Sequence, residues 1–516
     1  MRVLLINTNT RADLLAAPPI GAACVATAAA AAGHEIRLLD LCLARDRDQE
    51  LARAISSFHP QVVGLSIRNL ENVNLLHPIS YVDDARRVVD AVRALTDAPV
   101  VLGGSGTSLC PTALLRELKA DYVVAGDGET AFVALLGALG AGRAPLGIPG
   151  VGFFDGDTIR FSSPAFDDAS FGNPRLDRWV DLKRYRKMGS AYTIQTKRGC
   201  CQNCIYCTYN QSLEGRGLRL RPPADVVAEI EEAVLRNGIR EFDFVDSVFN
   251  EPIDHCREIL ERIARCSWKA EFTASGLSPR NVDRTFLELL WEAGFRSFMM
   301  TPDSASESMI RGIGKGFSLE DLVSASTALD DTGFTVMWLF LIGGPGETHE
   351  TIEETLGFVR RHLARTKRPP YTMAHFYFGM RVYPGTRLWD TAIREGFVAP
   401  GSDPLQFLWY VSSRLDLDRA IGQLVQASVQ LPEVSLAFDE KWAELSAVVT
   451  TLGKVLSMPK PYWRSLWKLN RLLIRTGLRR RLGPGDVAGR IRDSLAAQRE
   501  SVKRNREVFA IPARDE

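Results

Sequence analysis

Short β-branched runs alternate with longer helical patterns twice along this 516-residue chain, and alternation of that kind admits few folds. A strand that returns parallel to its predecessor needs a crossover, so repeated strand–helix alternation builds a parallel sheet covered by helices. In the first 140 residues strands are expected at Val3–Ile6, Ile36–Leu39, Val62–Ser66, Val100–Leu102 and Tyr122–Ala125. Helical stretches lie between them, around 20–33, 48–57, 83–95, 112–119 and 130–137. This predicts an α/β, doubly wound, Rossmann-like domain over 1–140. Residues 141–190 carry Gly, Pro and Asp without clear periodicity and read as a linker. A second alternation runs over 191–396, with strands near 192–196, 241–245, 270–274, 296–300, 335–341 and 373–380. Six such units predict a partial (β/α)6 barrel of TIM type. Residues 397–516 read as a helical C-terminal domain with no strand. In both α/β units, ligands belong beyond the carboxyl ends of the strands.

Composition narrows the function classes. Lys and Arg number 63 against 62 acidic residues, a net charge of +1, so no bulk electrostatic case for nucleic acid arises. The start, MRVLLINTNT, reads as a strand, not a signal peptide, and the Ala-rich segment 22–32 is too short to span a bilayer. Four of the nine cysteines fall between 200 and 207. Clustering of that kind favours metal binding in a reducing cytoplasm over disulfides.

The cluster reads Thr196-Lys-Arg-Gly-Cys200-Cys-Gln-Asn-Cys204-Ile-Tyr-Cys207, directly after the first strand of the second alternation. C-x3-C-x2-C lets one short loop wrap three thiolates around an iron–sulfur cube. A structural zinc ion is the alternative, but it wants four closed ligands. Cys201 adjoins Cys200, and the nearest downstream histidine is His255; a fourth ligand from elsewhere in the fold stays open. Three thiolates on a four-iron cluster leave one iron open, whereas electron-transfer clusters normally have four Cys ligands.

With its aromatic Tyr206 before the third cysteine, the motif resembles the signature of radical S-adenosylmethionine (radical SAM) enzymes. The resemblance implies a 4Fe–4S cluster held by Cys200, Cys204 and Cys207, with SAM chelating the open iron and yielding a 5′-deoxyadenosyl radical on reduction. It extends over most of 190–396. Asp246 ends the second strand of the barrel, Asp303-Ser304 follows the fourth, Gly343-Gly344-Pro-Gly-Glu347-Thr348 the fifth and Tyr383-Pro-Gly-Thr386 the sixth. Tyr206, Asp246, Asp303, Ser304, Gly344 and Glu347 are thereby the expected SAM contacts. One departure is the replacement of a family Gly-Gly-Glu by Asp246-Ser-Val.

A doubly wound domain placed ahead of such a barrel resembles the cobalamin-dependent branch of that family. Pro18-Pro-Ile-Gly21, Asp40, Gly64-Leu-Ser66, Gly103-Gly104 and Gly126-Asp-Gly-Glu129 sit where such domains carry loops around the corrin and its tail. Gly103 and Gly104 would admit the tail closely, Ser66 and Thr107 would hydrogen-bond to it, and Gly126 and Glu129 complete the expected contacts. The family's Asp-x-His-x-x-Gly is missing: Asp40 is followed by Leu41, Cys42 and Leu43, which removes the usual lower ligand of cobalt but not the binding fold. Arg68 would shield the lower face without coordinating it, or would pair with Glu71 or Asp83. His77 is a lesser candidate. A dinucleotide site would need Gly-x-Gly-x-x-Gly after the first strand, where Asn7-Thr-Asn-Thr-Arg11 stands instead.

The function this resemblance implies is a cobalamin-dependent radical SAM methyltransferase acting on an unactivated carbon of a small-molecule or peptide natural product. A cyclase, ring-contraction or rearrangement enzyme without net methyl transfer is the alternative, and polar methylation or a non-catalytic carrier are further ones. A reductant such as flavodoxin or ferredoxin is the implied partner. Toward the C-terminus, Phe407, Trp409, Tyr410, Trp442, Trp463 and Trp467 read as helix core or as a cap over the substrate, and the basic stretch 473–492 as a solvated face.

Overall fold

Strand β1 (Arg2–Asn7) is buried from Val3 to Asn7, on both faces, as a strand in the middle of a parallel sheet must be. It is flanked by β2 (Glu35–Asp40) and β3 (Val62–Ser66), both parallel to it. β4 (Val100–Gly103) and β5 (Tyr122–Val124) continue the parallel run. β6 (Val151–Asp155) and β7 (Thr158–Phe161) close the order β2-β1-β3-β4-β5-β6-β7 with antiparallel pairings. The structure is a computed structural model and describes residues 1–11, 16–166, 171–364 and 371–438, scattered positions between 448 and 472, and 484–509.

The β6–β7 hairpin corrects the expectation of a bare linker over 141–190. Its strands are short and half exposed, so they carry no sustained apolar alternation for sequence reading to catch. Within the same segment, Tyr185 is buried and donates to Asp40 at 2.7 Å, fastening it to the first domain.

The second sheet starts at β8 (Tyr192–Ile194). A small antiparallel pair, β9 (Lys197–Arg198) and β10 (Arg219–Leu220), brackets the cysteine loop. β11 (Glu241–Phe244), β12 (Glu271–Leu277), β13 (Phe295–Asp303), β14 (Thr335–Ile342) and β15 (Tyr371–Phe378) then follow in parallel register. A second short pair is β16 (Met380–Arg381) with β17 (Trp409–Tyr410). The outer layer of the barrel is aromatic: Phe242, Phe244, Phe272 and Phe295 stack at centroid distances between 5.4 and 5.8 Å beneath the helices.

The region 397–516 is not purely helical. β18 (Val434–Leu436) adds to β15 as a seventh parallel barrel strand, giving the order β18-β15-β14-β13-β12-β11-β8. Three residues are too few to show a period in sequence. Helices Leu417–Gln430 and Pro484–Phe509 pack together against this side. Trp409 and Tyr410 are buried core on β17, while Trp442, Trp463, Trp467 and the basic run at 479–481 lie outside the described residues. Among the described residues no helix is long and apolar enough to cross a membrane.

Candidate cofactor site between the two sheets

The carboxyl ends of both sheets face one cavity of about 620 Å³. The first domain contributes Ser66, Arg68, Gly103, Gly104, Gly126 and Glu129, and the barrel side contributes Thr193, Gln195, Arg198, Tyr209 and Glu214. Seven of the positions singled out in the first domain were Ser66, Arg68, Gly103, Gly104, Thr107, Gly126 and Glu129, and six of them line it. Thr107 does not: it is fully buried and its hydroxyl donates to the Gly103 carbonyl at 2.8 Å. From the same helix Ser105, Ser108 and Leu109 line the cavity, and the Ser108 hydroxyl accepts from the Gly126 amide at 2.9 Å.

Gly104 is required by geometry. Its φ is +97°, and a Cβ there would stand 2.6 Å from the Ile67 carbonyl oxygen. Gly104→Ala is expected to displace this loop and weaken cobalamin binding by about tenfold, the effect of roughly 1–2 kcal/mol of strain. Spectral titration of the apo-protein with hydroxocobalamin reads this; unchanged affinity would place the cofactor elsewhere.

Arg68 is exposed at the loop after β3 and makes no ion pair among the described residues. Neither expected acid is its partner. Glu71 is buried against Arg381 and accepts from Tyr383 at 3.1 Å, and Asp83 pairs with Arg86 at 2.9 Å. His77 lies outside the cavity lining, near Arg490 at 3.3 Å.

On the barrel side the cysteine loop is held from several directions. Asn210 accepts from the Cys200 amide at 3.0 Å and donates to the Cys200 and Gln202 carbonyls at 2.8 Å each. The Ile205 amide donates to Ile313 at 2.8 Å, and the Ile205 carbonyl accepts from Leu388 at 2.9 Å. Gly199 has φ +84°, and a Cβ there would overlap the Gly217 carbonyl at 1.8 Å, so the approach to Cys200 admits only glycine. Tyr206 donates to Asp303, which also receives Lys315 at 2.8 Å, a buried triad that ties the aromatic of the motif to the end of β13.

The three thiols of the motif differ in their surroundings. Burial pushes Cys204 up to about 12 and raises Cys207, while a hydrogen bond from Cys201 brings Cys200 down to about 6. Coordinating iron deprotonates such thiols outright. Among the described residues no three His, Cys, Asp or Glu side chains converge on one ion. Ligands of a four-iron cube need not, because each binds a different iron.

The remaining barrel positions are mostly engaged by their own chain. Asp246 accepts from the Thr196 amide at 2.7 Å, the Thr196 hydroxyl at 2.8 Å and the Lys197 amide at 3.1 Å, fixing the corner before the cysteine loop. Ser304 bonds Thr355 at 3.1 Å and is fully buried. Glu347 accepts from Thr351 at 2.5 Å and Gly343 at 3.2 Å, and Gly344 packs under Met380. Asp246, Asp303, Ser304 and Glu347 therefore spend their side chains holding strand ends and turns.

The sequence reading did not single out the arginines. Arg198, two residues before Cys200, reaches Asp127 at 3.0 Å and Glu129 at 2.5 Å. Arg219 pairs with Asp127 as well and donates to the Glu214 carbonyl at 2.8 Å. All four side chains of this cluster are at most 10% exposed. It couples the Gly126–Glu129 loop directly to the strand that leads into the cysteine loop. The signal available in sequence was the pairing of an acidic Asp127-Gly-Glu129 with a basic Lys197-Arg198, legible only once the two loops are known to meet.

Burial pushes three carboxyls up to about 7: Glu214, Asp243 and Glu347. Folded protein then holds protons that the unfolded chain releases from its ordinary carboxyl range upward. The stabilisation from these groups is complete at low pH and lost as pH rises through about 7. Comparing urea unfolding at pH about 6 and about 8 for the unaltered chain and Glu347→Gln isolates one of these groups: the variant should lose less stability over that rise, by about 1 kcal/mol. An equal change in the two proteins would contradict it.

Comparison with known proteins fits this arrangement. Residues 12–136 match the family model described as B12 binding domain, and residues 194–359 match Radical SAM superfamily. A tryptophan 2-C-methyltransferase of Streptomyces laurentii is 28% identical over 449 residues, spanning 74% of this chain and 73% of that protein. An uncharacterized methyltransferase of Pyrococcus horikoshii is 27% identical over 412 residues, 77% of this chain and 84% of that one. Among solved structures, the radical S-adenosylmethionine methyltransferase TsrM from Kitasatospora setae, with cobalamin and a 4Fe–4S cluster bound, has a TM-score of 0.79. The match is at 23% identity and covers 92% of this chain and 99% of that chain, a likeness of fold.

Proposed function

We propose that this chain, which belongs to the cobalamin-binding branch of the radical SAM family, is a methyltransferase that delivers the methyl of SAM to an unactivated carbon of a small-molecule or peptide natural product. One observation carries the reading. The strand ends of a B12-binding domain and the strand that leads into the cysteine motif line the same cavity, and the buried Arg198–Glu129 pair fixes one to the other. A methyl carrier and a radical source brought to one volume suit methyl transfer to a carbon that polar chemistry does not activate.

When bound, SAM and cobalamin supply between them the methyl group, its carrier and a hydrogen-abstracting radical. The chain's own residues do the rest. Cys200, Cys204 and Cys207 would hold three irons and leave one for SAM. Gly103 and Gly104 would let the backbone lie against the cobalamin, and Ser66, Ser108 and Glu129 offer polar contacts along it. Arg68 would present a permanent cation that has no lone pair to give cobalt. Tyr206, Asp303 and Lys315 hold the cysteine loop against the end of β13.

Nine free cysteines support a reducing compartment, the cytoplasm, where flavodoxin or ferredoxin would supply electrons. The test is the product balance of the reconstituted enzyme under a low-potential reductant. A methyltransferase forms S-adenosylhomocysteine at one per cobalamin in the first turnover. 5′-Deoxyadenosine with no S-adenosylhomocysteine would instead mark a cyclase or rearrangement enzyme.

A further inference from the structure

The inner wall of the barrel holds an acid that none of the preceding chemistry uses. Phe242 and Phe244 of β11 face the helices, so Asp243 between them faces the lumen. By the same alternation Met299, Leu339 and Tyr377 face inward from β13, β14 and β15, because their neighbours Phe298, Phe340 and Phe376 belong to the outer core. The lumen wall beside Asp243 carries the hydroxyls of Thr193, Thr273, Ser275 and Ser297, with Met299, Leu339 and Tyr377 facing in from the later strands.

Asp243 is short of donors. Its two carboxyl oxygens share a single hydroxyl, that of Ser275, at 3.0 and 2.9 Å, and one hydroxyl carries one proton. It has no ion pair among the described residues. Its register partner on β8 is Thr193, whose hydroxyl is buried without any hydrogen-bond partner. Thr193 lines the cavity shared with the first domain, as do Gln195 and Val245. An under-satisfied acid and an orphan hydroxyl thus sit side by side, the hydroxyl on a residue of the cavity wall and the acid one strand further into the barrel. Buried polar groups left in this state are rare in folded proteins, and a ligand is one way to complete them.

We propose that Asp243, with Ser275 and Thr193, anchors a protonated amine on the methyl acceptor. An ammonium group brings three donors and a positive charge, which satisfies both carboxyl oxygens and the Thr193 oxygen together. Met299, Leu339 and the Tyr377 ring then offer apolar surface to the body of the same molecule. Burial has already pushed Asp243 up to about 7, so a bound cation also restores the charge that burial disfavours. Naming the ligand as methyl acceptor rests on the methyltransferase reading; the amine site itself does not.

The test uses enzyme carrying its cluster and cobalamin, saturated with S-adenosylhomocysteine, and two probes of equal shape: phenethylamine and 2-phenylethanol. Saturation-transfer NMR and calorimetry should show the amine binding at least about tenfold more tightly than the alcohol. Asp243→Asn should remove that preference and leave the alcohol's affinity unchanged. Equal binding of the two probes, no binding of the amine, or an amine affinity unmoved by Asp243→Asn would overturn the proposal. So would amine binding that appears only when S-adenosylhomocysteine is left out, which would assign the acid to SAM. If the variant does not fold, the preference of the unaltered enzyme decides alone. Amine preference without any methyl transfer to cobalamin would keep the amine site and remove the methyltransferase reading.

Discussion

Replacing Cys204 with Ala is expected to abolish reductive cleavage of SAM while cobalamin binding survives. Cys204 is the central thiol of the motif, and no neighbour can replace it. Cys201 points to Glu251, and Gln202 offers only an amide. Loss of groups that merely orient metal ligands costs 10- to 100-fold, so loss of a ligand itself should lower 5′-deoxyadenosine formation by more than about a hundredfold. The loops proposed to hold cobalamin, with Ser66, Gly104 and Gly126, lie on the other domain. Iron content, 5′-deoxyadenosine and bound cobalamin, measured on the same preparation, separate the two effects. A variant that keeps both its iron and its SAM cleavage would show that the cysteine motif serves something other than a cluster.

The second large effect is expected at Arg198. Its guanidinium is almost fully buried between Asp127 and Glu129, and it lies 4.6 Å from the Phe171 ring centroid. Arg198→Ala leaves Glu129 without its cation in a dry site, and breaking a buried pair of this kind costs roughly 3–5 kcal/mol. The loss should appear both as a lower denaturation midpoint and as weaker cobalamin binding, because Gly126 and Glu129 line the cavity. Arg198→Lys should recover only part of it, since an ammonium cannot grip two carboxylates with a planar fork. Replacing Arg198 and Glu129 together with Met should cost less than Arg198→Ala alone. If the double change is the worse of the two, repulsion left by an unpaired Glu129 is not the cause.

Much of this architecture was legible because its signals are periodic or tightly spaced. The parallel strands of both sheets announce themselves as apolar runs such as Val3–Ile6 and Thr335–Ile342, separated by helical stretches. The cysteine triplet is specific because three thiols recur within eight residues. What escaped was short or nonlocal. β18 is three residues long, and the β6–β7 hairpin is half exposed, so neither leaves a pattern. Thr107 looked suitable because it follows Gly103-Gly104, but one helical step turns its hydroxyl back onto the Gly103 carbonyl. Asp246, Asp303 and Glu347 stand at strand ends as expected, yet each is enlisted by its own turn: Thr196, Tyr206 with Lys315, and Thr351 with Gly343. Sequence marks where polar groups gather; it does not mark which of them are already satisfied. Arg198, Asp127 and Glu129 come from loops that only the fold brings together, and Asp243 is one acid among 62 acidic residues until its inward facing is known.

The measurement that tests the central claim most directly needs no substrate. Protein reconstituted anaerobically with iron, sulfide and hydroxocobalamin is given a low-potential reductant and SAM labelled in its methyl with deuterium, and the protein-bound cobalamin is examined by mass spectrometry. Labelled methyl on the cobalamin, with S-adenosylhomocysteine appearing alongside it, is the predicted result. Cobalamin that binds and stays unmethylated would contradict the methyltransferase assignment, and cobalamin that never binds would contradict the reading of the first domain.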